Sequence, residues 1–460
     1  MKKIKVLFTA YECAPFFKMG GLGDVAGSLP KALMKLGADI RVVLPYYREI
    51  KKRKDVELVK KNEVVEYGGS KIKINILRSY LPGSKVPIYF IDNKEWFGVK
   101  DIFDKNNRER FVLFSYLVAQ LPSILEWNPN VIHANDWHTG MTNIFSKGNI
   151  KSLYTIHNLA YKGSAQIGTL EKFGLAEDDF SGLGKERKVN VMKEAILQSN
   201  IVNTVSPTYA KEILTKEYGA GMEKEINIRK KDLYGIVNGI DYNTFNPKKD
   251  KNIFKKYDLK SLSGKVDNKK YLQEMSGLEI NENIPLISMI SRLVGQKGFE
   301  LLEKVFDELM SEDLQLVILG TGEKKYEEFF GKMNKKYRGK FKAHLTFSAP
   351  LASQIYASSD IFLMPSKYEP CGLGQLIAMK YGSVPLVRET GGLKDTVKKG
   401  KTGFNFKNYD VQEMVEAIKD TLGVYGNQKK WQSIVTGCMQ QDFSWESSAK
   451  EYLKLYKKLS

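Results

Sequence analysis

Short apolar runs alternate with helix-patterned stretches along almost the whole chain, and this alternation limits the possible folds more than any other feature. The segments 5–10, 40–45, 71–77, 86–91, 131–134, 152–157 and 201–206 read as strands. In the second half the same reading gives 286–292, 314–320, 361–365 and 384–387, with helical spacing over 298–309, 351–359, 411–422 and 445–459. Strands separated by helices form βα units and a parallel sheet. At 460 residues the chain exceeds what one core supports, so two domains are predicted. The Asn238-Gly239 turn, followed by the linker-like 245–251, puts the boundary near residue 241. The predicted halves are 1–241 and 242–444, two similar-sized α/β domains with a cleft between them. The packing of the last helix, 445–460, does not follow from periodicity.

Composition removes several function classes. The chain is 42% hydrophobic and has no low-complexity run, as expected of a globular protein. No apolar stretch approaches the ~20 residues that span a bilayer. Met1-Lys2-Lys3 before a short apolar run outlines a secretory leader, but Lys5 interrupts it, so the segment reads as a first strand and the chain as cytoplasmic. Cys13, Cys371 and Cys438 are odd in number, widely spaced and without a C-x-x-C pair, which points to reduced thiols. The four histidines lack helical metal spacing, so no metal and no cofactor are expected. The formal charge of +19 raises nucleic acid as a ligand. Lysines are nonetheless mingled with glutamates, the run Lys51–Lys54 sits in an apparent loop, and no nucleic-acid motif accompanies it. A solvated lysine surface that attracts anionic substrates is the simpler reading.

Five strand ends carry chemistry. After the first strand, Lys18 precedes Gly20, Gly21 and Gly23, and glycines allow backbone N–H groups to approach a phosphate closely. Such a loop can also merely turn the chain, and the lysine in front of it favours the functional reading. At 131–140, His133, Asp136, Trp137 and His138 follow a strand and open a helix; acid and imidazole suit sugar hydroxyls, and indole suits a sugar face. His133 lies within the strand and reads as structural, whereas His138 lies at the loop–helix junction and reads as functional. Arg292 and Lys297 flank a turn after the first strand of the second half, a cation pair suited to pyrophosphate. The competing reading is a surface ion pair with Glu300 or Glu303. Finally, Glu369 sits in the loop between 361–365 and the next helix, and Gly391-Gly392 opens a further helix after 384–387. Two glycine-softened helix starts at neighbouring strand ends form an anion site, and the acid adds hydroxyl recognition. Cys371 has no His–Asn partners in the sequence and reads as a packed thiol.

Taken in order, KMGGLGDV (18–25), HANDWHTG (133–140), TIHNLAYKG (155–163), TVSPTYAKEI (204–213), VNGID (237–241), SRLVGQKG (291–298), EPCGLGQL (369–376) and ETGGLKDTV (389–397) resemble the bacterial glycogen synthases, a family shared with plant starch synthases. The resemblance spans the full length. It implies GT-B architecture, two Rossmann-like domains facing across a cleft that holds the active site, with the last helix, 445–460, crossing back onto the first. It implies a first domain on the acceptor side and a second that binds nucleotide sugar. The implied reaction is metal-independent, retaining transfer of glucose from ADP-glucose to the non-reducing 4-hydroxyl of an α-1,4-glucan such as glycogen. Carried over by position, Lys18, Gly20 and Gly21 lie against the donor, Asp24 supports that loop, and His138 binds the glucose near its 6-hydroxyl. Arg292 and Lys297 neutralise the diphosphate, and Glu369 holds the 3- and 4-hydroxyls. Cys371, Gly372 and Leu373 line sugar and phosphate, and Asp136 and Asn238 complete the substrate-binding set. Phe347 stands where the family often stacks a tyrosine on adenine, and Met19 where it commonly has threonine. Position 377, eight residues after Glu369, is isoleucine, so the paired acids of many related retaining transferases are absent. UDP-glucose as donor, another acceptor, or a glucan-binding protein without catalysis are the competing readings.

Overall fold

The structure, a computed structural model, describes residues 3–460. Met1 and Lys2, part of the basic start weighed above as a leader, lie outside the described residues. The chain divides into two compact units: residues up to Gly239 together with Trp445–Ser460, and Ile240–Ser444. The break falls two residues before the predicted 241, because Ile240 already donates its N–H to Phe443 O and bridges to Ser444 within the second unit.

In unit 1 the strands are β1 (Lys5–Thr9), β2 (Asp39–Pro45), β3 (Glu57–Tyr67), β4 (Ser70–Tyr80), β5 (Pro87–Asp92), β6 (Val131–Asn135), β7 (Lys151–Ile156), β8 (Ser164–Gln166), β9 (Lys188–Asn190), β10 (Ile201–Thr204) and β11 (Leu233–Gly235). Nine of them form one sheet in the order β11-β10-β7-β6-β1-β2-β5-β4-β3, and β8 pairs with β9 separately. The strands from β11 to β5 run parallel; β4 and β3 turn back antiparallel at one edge. Chain order reverses direction between β1 and β6, which makes that pair the topological switch point of the sheet.

The helix Trp445–Leu459 belongs to unit 1. Trp445, Ser448, Ala449, Tyr452, Leu455 and Tyr456 form its buried stripe at helical spacing. Tyr456 Oη meets His133 Nδ1 at 2.7 Å, Asn203 Nδ2 donates to Tyr452 Oη at 3.0 Å, and Ser448 Oγ donates to Val237 O at 2.7 Å.

Unit 2 contains β12 (Leu286–Ile290), β13 (Gln315–Leu319), β14 (Phe341–His344), β15 (Ile361–Met364), β16 (Val384–Arg388) and β17 (Phe404–Phe406) in the order β14-β13-β12-β15-β16-β17. All pairings are parallel, and β12 and β15 form its switch point. Among the described residues, no helix is long and apolar enough to cross a membrane. The run 51–54 is not simply a loop: Ile50–Lys52 forms a short 3₁₀ turn, with Lys51 paired to Asp92 and Arg53 to Asp55.

Candidate active site

Both switch points carry the residues singled out by the sequence, one group in each unit. In unit 1 the loops after β1 and β6 bring Tyr11 against His138, ring centroids 3.7 Å apart and stacked. Phe111 and Phe103 meet the same imidazole edge-on, at 4.7 and 5.8 Å. His138 is 5% exposed, its Nδ1 is buried without a hydrogen-bond partner, and burial holds its pKa well below the usual histidine range. Burial among these aromatic rings favours the neutral imidazole. His133, in contrast, is fully satisfied inside the sheet, by Tyr456 Oη and Thr155 Oγ1.

Asp136 adopts φ 55°, an uncommon conformation for a non-glycine residue, immediately before the helix Trp137–Phe145. Its Oδ1 accepts the His157 N–H at 2.8 Å, so the carboxyl anchors the loop after β7. Burial is the main reason that its pKa is pushed up to about 7; the His157 and Asn158 amides pull it back, and Glu12 pushes it further up. Asn238 is buried at the end of unit 1, and its Oδ1 has no hydrogen-bond partner.

The glycine loop differs from expectation. Lys18 is not a free point charge: its Nζ lies 2.7 Å from Asp24 Oδ1, both partly exposed. Asp24 therefore engages the lysine, and the loop itself is supported from behind by Glu12. The Met19 and Gly20 N–H groups donate to Glu12 Oε2 at 2.5 and 2.7 Å. This carboxylate is 1% exposed; burial raises its pKa, and the loop amides and the nearby Tyr11 hydroxyl oppose the rise. Gly20 thus turns its amide toward Glu12. Sequence reasoning passed over Glu12. The available signal was an acid at a strand end just ahead of a glycine run, a place where orphan helix N–H groups need an acceptor.

In unit 2 the loops after β12, β15 and β16 are pressed together, and their glycines make this possible. A Cβ on Gly298 would lie 2.1 Å from Pro365 O, one on Gly391 1.9 Å from Glu369 O, and one on Gly392 2.1 Å from Cys371 O. Lys367 N–H donates to Gln296 O at 2.8 Å, and Gln296 Nε2 to Tyr368 O at 3.0 Å. This lacing sets Lys297 Nζ 2.5 Å from Glu369 Oε2, where Ser366 Oγ also donates at 3.1 Å. Neither Glu300 nor Glu303, the partners considered from sequence, takes Lys297. The Gly391-Gly392 pair is likewise not an open anion site. The Gly392 N–H donates to Glu369 O and Pro370 O, and the pair buttresses the Glu369 loop.

Arg292 is exposed, and its guanidinium has no ion-pair partner among the described residues. Cys371 is a buried thiol, Gly372 has φ 73°, and Leu373 leads into the helix Gly374–Lys380, where Ile377 is buried. Phe347, just after β14, is 89% exposed. The structure thus brings Tyr11, Glu12 and His138 together in unit 1 and Lys297 with Glu369 in unit 2. Among the described residues, no three His, Cys, Asp or Glu side chains are grouped to hold a metal ion.

Comparison with known proteins adds to this geometry. The family profile described as starch synthase catalytic domain matches residues 5–228, and that described as glycosyl transferases group 1 matches 272–433. A glycogen synthase from Petrotoga mobilis is 45% identical, covering 99% of this chain and 98% of its own. One from Clostridium botulinum is 43% identical, over 99% and 100%. Among solved structures, the catalytic domain of starch synthase IV from Arabidopsis thaliana bound to ADP and acarbose superposes with TM-score 0.91 at 32% identity, covering 100% and 99% of the two chains. A sucrose-phosphate synthase from Thermosynechococcus elongatus, at TM-score 0.65 and 17% identity over 99% of each chain, shares the fold.

Proposed function

The chain belongs to the family of bacterial glycogen synthases and plant starch synthases and is a GT-B glycosyltransferase that adds glucose to an α-1,4-glucan; we propose that its donor is ADP-glucose and that transfer, to the non-reducing 4-hydroxyl, retains anomeric configuration. The observation that carries the donor reading is the Lys297–Glu369 pair at the switch point of unit 2. A nucleotide sugar carries hydroxyls directly beside phosphates, so its site needs an acid and a cation within a few ångströms of one another.

Arg292 and Lys297 hold the diphosphate and stabilise it as negative charge grows on departing ADP. Glu369 accepts hydrogen bonds from the glucose 3- and 4-hydroxyls through Oε1, the oxygen not engaged by Lys297 and Ser366. Cys371, Gly372 and Leu373 line the same loop. In unit 1, His138 holds the 6-hydroxyl as a neutral imidazole, and Lys18 and Gly21 lie against the donor. Phe347 stacks on adenine. With isoleucine at 377 there is no second acid to act as a nucleophile on the sugar. Attack therefore comes from the face that ADP leaves, through a short-lived oxocarbenium ion, with a phosphate oxygen taking the acceptor's proton.

Incubation of the protein with ADP-glucose and glycogen is expected to release ADP and lengthen chains, with UDP-glucose slower. No ADP release would overturn the donor assignment, and equal rates with both nucleotides would remove its specificity.

A further inference from the structure

The helix Gly21–Lys35 begins at an N-cap that has no side chain, Gly20. At such a position serine, threonine or aspartate normally supplies an oxygen to the N–H of the third helical residue. Here no side chain does so; the loop is held instead by Glu12, eight positions before the cap, whose Oε2 takes the Met19 and Gly20 N–H groups. A Cβ at Gly20 would lie 3.2 Å from Glu12 Oε1, and one at Gly23 3.0 Å from Lys18 Cγ and 3.1 Å from Glu12 Oε2, so a side chain at either position crowds the carboxylate. Gly21 is different. A Cβ there would meet nothing within 4 Å, so the fold does not demand glycine at that position. With Met19 and Gly20 turned inward, the Gly21 and Leu22 N–H groups at the start of the helix bond no other described residue.

We propose that Glu12 is the positioning residue of this loop: by drawing two amides inward it fixes the turn so that the Gly21 and Leu22 amides, with Lys18 beside them, face a nucleotide sugar across bare backbone. The inference rests on the reading of this loop as a donor contact given above. Glu12 does not touch the donor. It acts through the loop, and its negative charge is spent on inward N–H groups rather than set against phosphate.

Glu12→Gln tests this in the full chain. Its amide oxygen can accept the Met19 and Gly20 N–H groups only from the Oε2 place, and without the charge that strengthens those bonds. Amide hydrogen exchange over 18–23 is expected to accelerate about tenfold or more, and the KM for ADP-glucose to rise about tenfold with kcat within about threefold and the KM for glycogen unchanged. Glu12→Asp keeps the charge but withdraws it by one methylene, so its donor KM should fall between wild type and Glu12→Gln; it carries the test if Glu12→Gln does not fold. A donor KM unchanged by both variants, or donor and glycogen KM values rising in parallel, would overturn the proposal. If wild type releases no ADP from ADP-glucose, the donor assignment falls, and unchanged exchange in Glu12→Gln would independently remove the positioning role.

Discussion

The ammonium of Lys297 lies 2.5 Å from Oε2 of Glu369 although the two are 72 positions apart in the chain. Both side chains are largely withdrawn from water, 18% and 8% exposed. Neither group is indifferent to the other, because a carboxylate at that depth needs a cation or hydrogen-bond donors.

Removing one partner should therefore cost more than removing both. Lys297→Ala is expected to lower stability by about 3 kcal/mol, since the carboxylate stays buried without its cation. The double variant with Glu369→Ala should cost clearly less than the sum of the single changes, a coupling of about 1–3 kcal/mol in urea unfolding. Turnover with ADP-glucose should fall at least about a hundredfold in all three. Strict additivity would show that the pair is not coupled.

The loop glycines of unit 2 should be intolerant in a way that Gly21 is not. Gly391→Ala places a Cβ 1.9 Å from Glu369 O at a backbone φ of 45°. A loss of about 3 kcal/mol or more is expected, with turnover falling as the Glu369 loop shifts. Gly21→Ala, which meets open space, should keep stability within about 0.5 kcal/mol while raising the donor KM.

Phe347, at 89% exposure, contributes little packing to the fold. Phe347→Ala is expected to leave the unfolding midpoint unchanged and to weaken ADP binding about tenfold, the scale of one lost base–aromatic stack. Calorimetric titration with ADP measures this, and Phe347→Tyr should retain wild-type affinity or exceed it.

Asp136 sets a pH dependence of stability. Its folded pKa is raised to about 7 against an ordinary 3.8, chiefly by burial. Between these values the folded state keeps a proton that the unfolded chain has released, so the contribution is complete below the lower value and is lost as pH rises through about 7. Asp136→Asn retains the oxygen for the His157 N–H and cannot ionise. The melting temperature of Asp136→Asn relative to wild type should therefore rise steadily from pH 5 to pH 8. A constant difference would mean that Asp136 is already ionised at pH 5.

The central strands were legible because burial on both faces turns them into unbroken apolar runs. Examples are β1, whose last four residues are all buried, and β16, buried throughout. The edge strand β3 was missed: Lys60, Lys61, Asn62 and Glu63 dominate it, and pairing with β4 through the Gly68-Gly69 turn, both at positive φ, is what makes it a strand. β14 and β17, also at sheet edges, are too short to stand out. Within the site, residue types at strand ends were readable one loop at a time. Lys297 with Glu369, and Glu12 with the Met19 and Gly20 amides, were not, because strand order and a fold-back of the chain create those partnerships. The Gly391-Gly392 pair misled for the same reason. Its glycines answer to a neighbouring backbone, and sequence shows only that they are small.

The return of residues 445–459 to the first unit has a consequence for synthesis. Asn203 and His133 lie in strands made early, yet Tyr452 and Tyr456, which satisfy them, leave the ribosome more than two hundred residues later, after all of unit 2. The amino-terminal unit must wait, with these two polar groups uncovered, until all of unit 2 and the helix after it have been made.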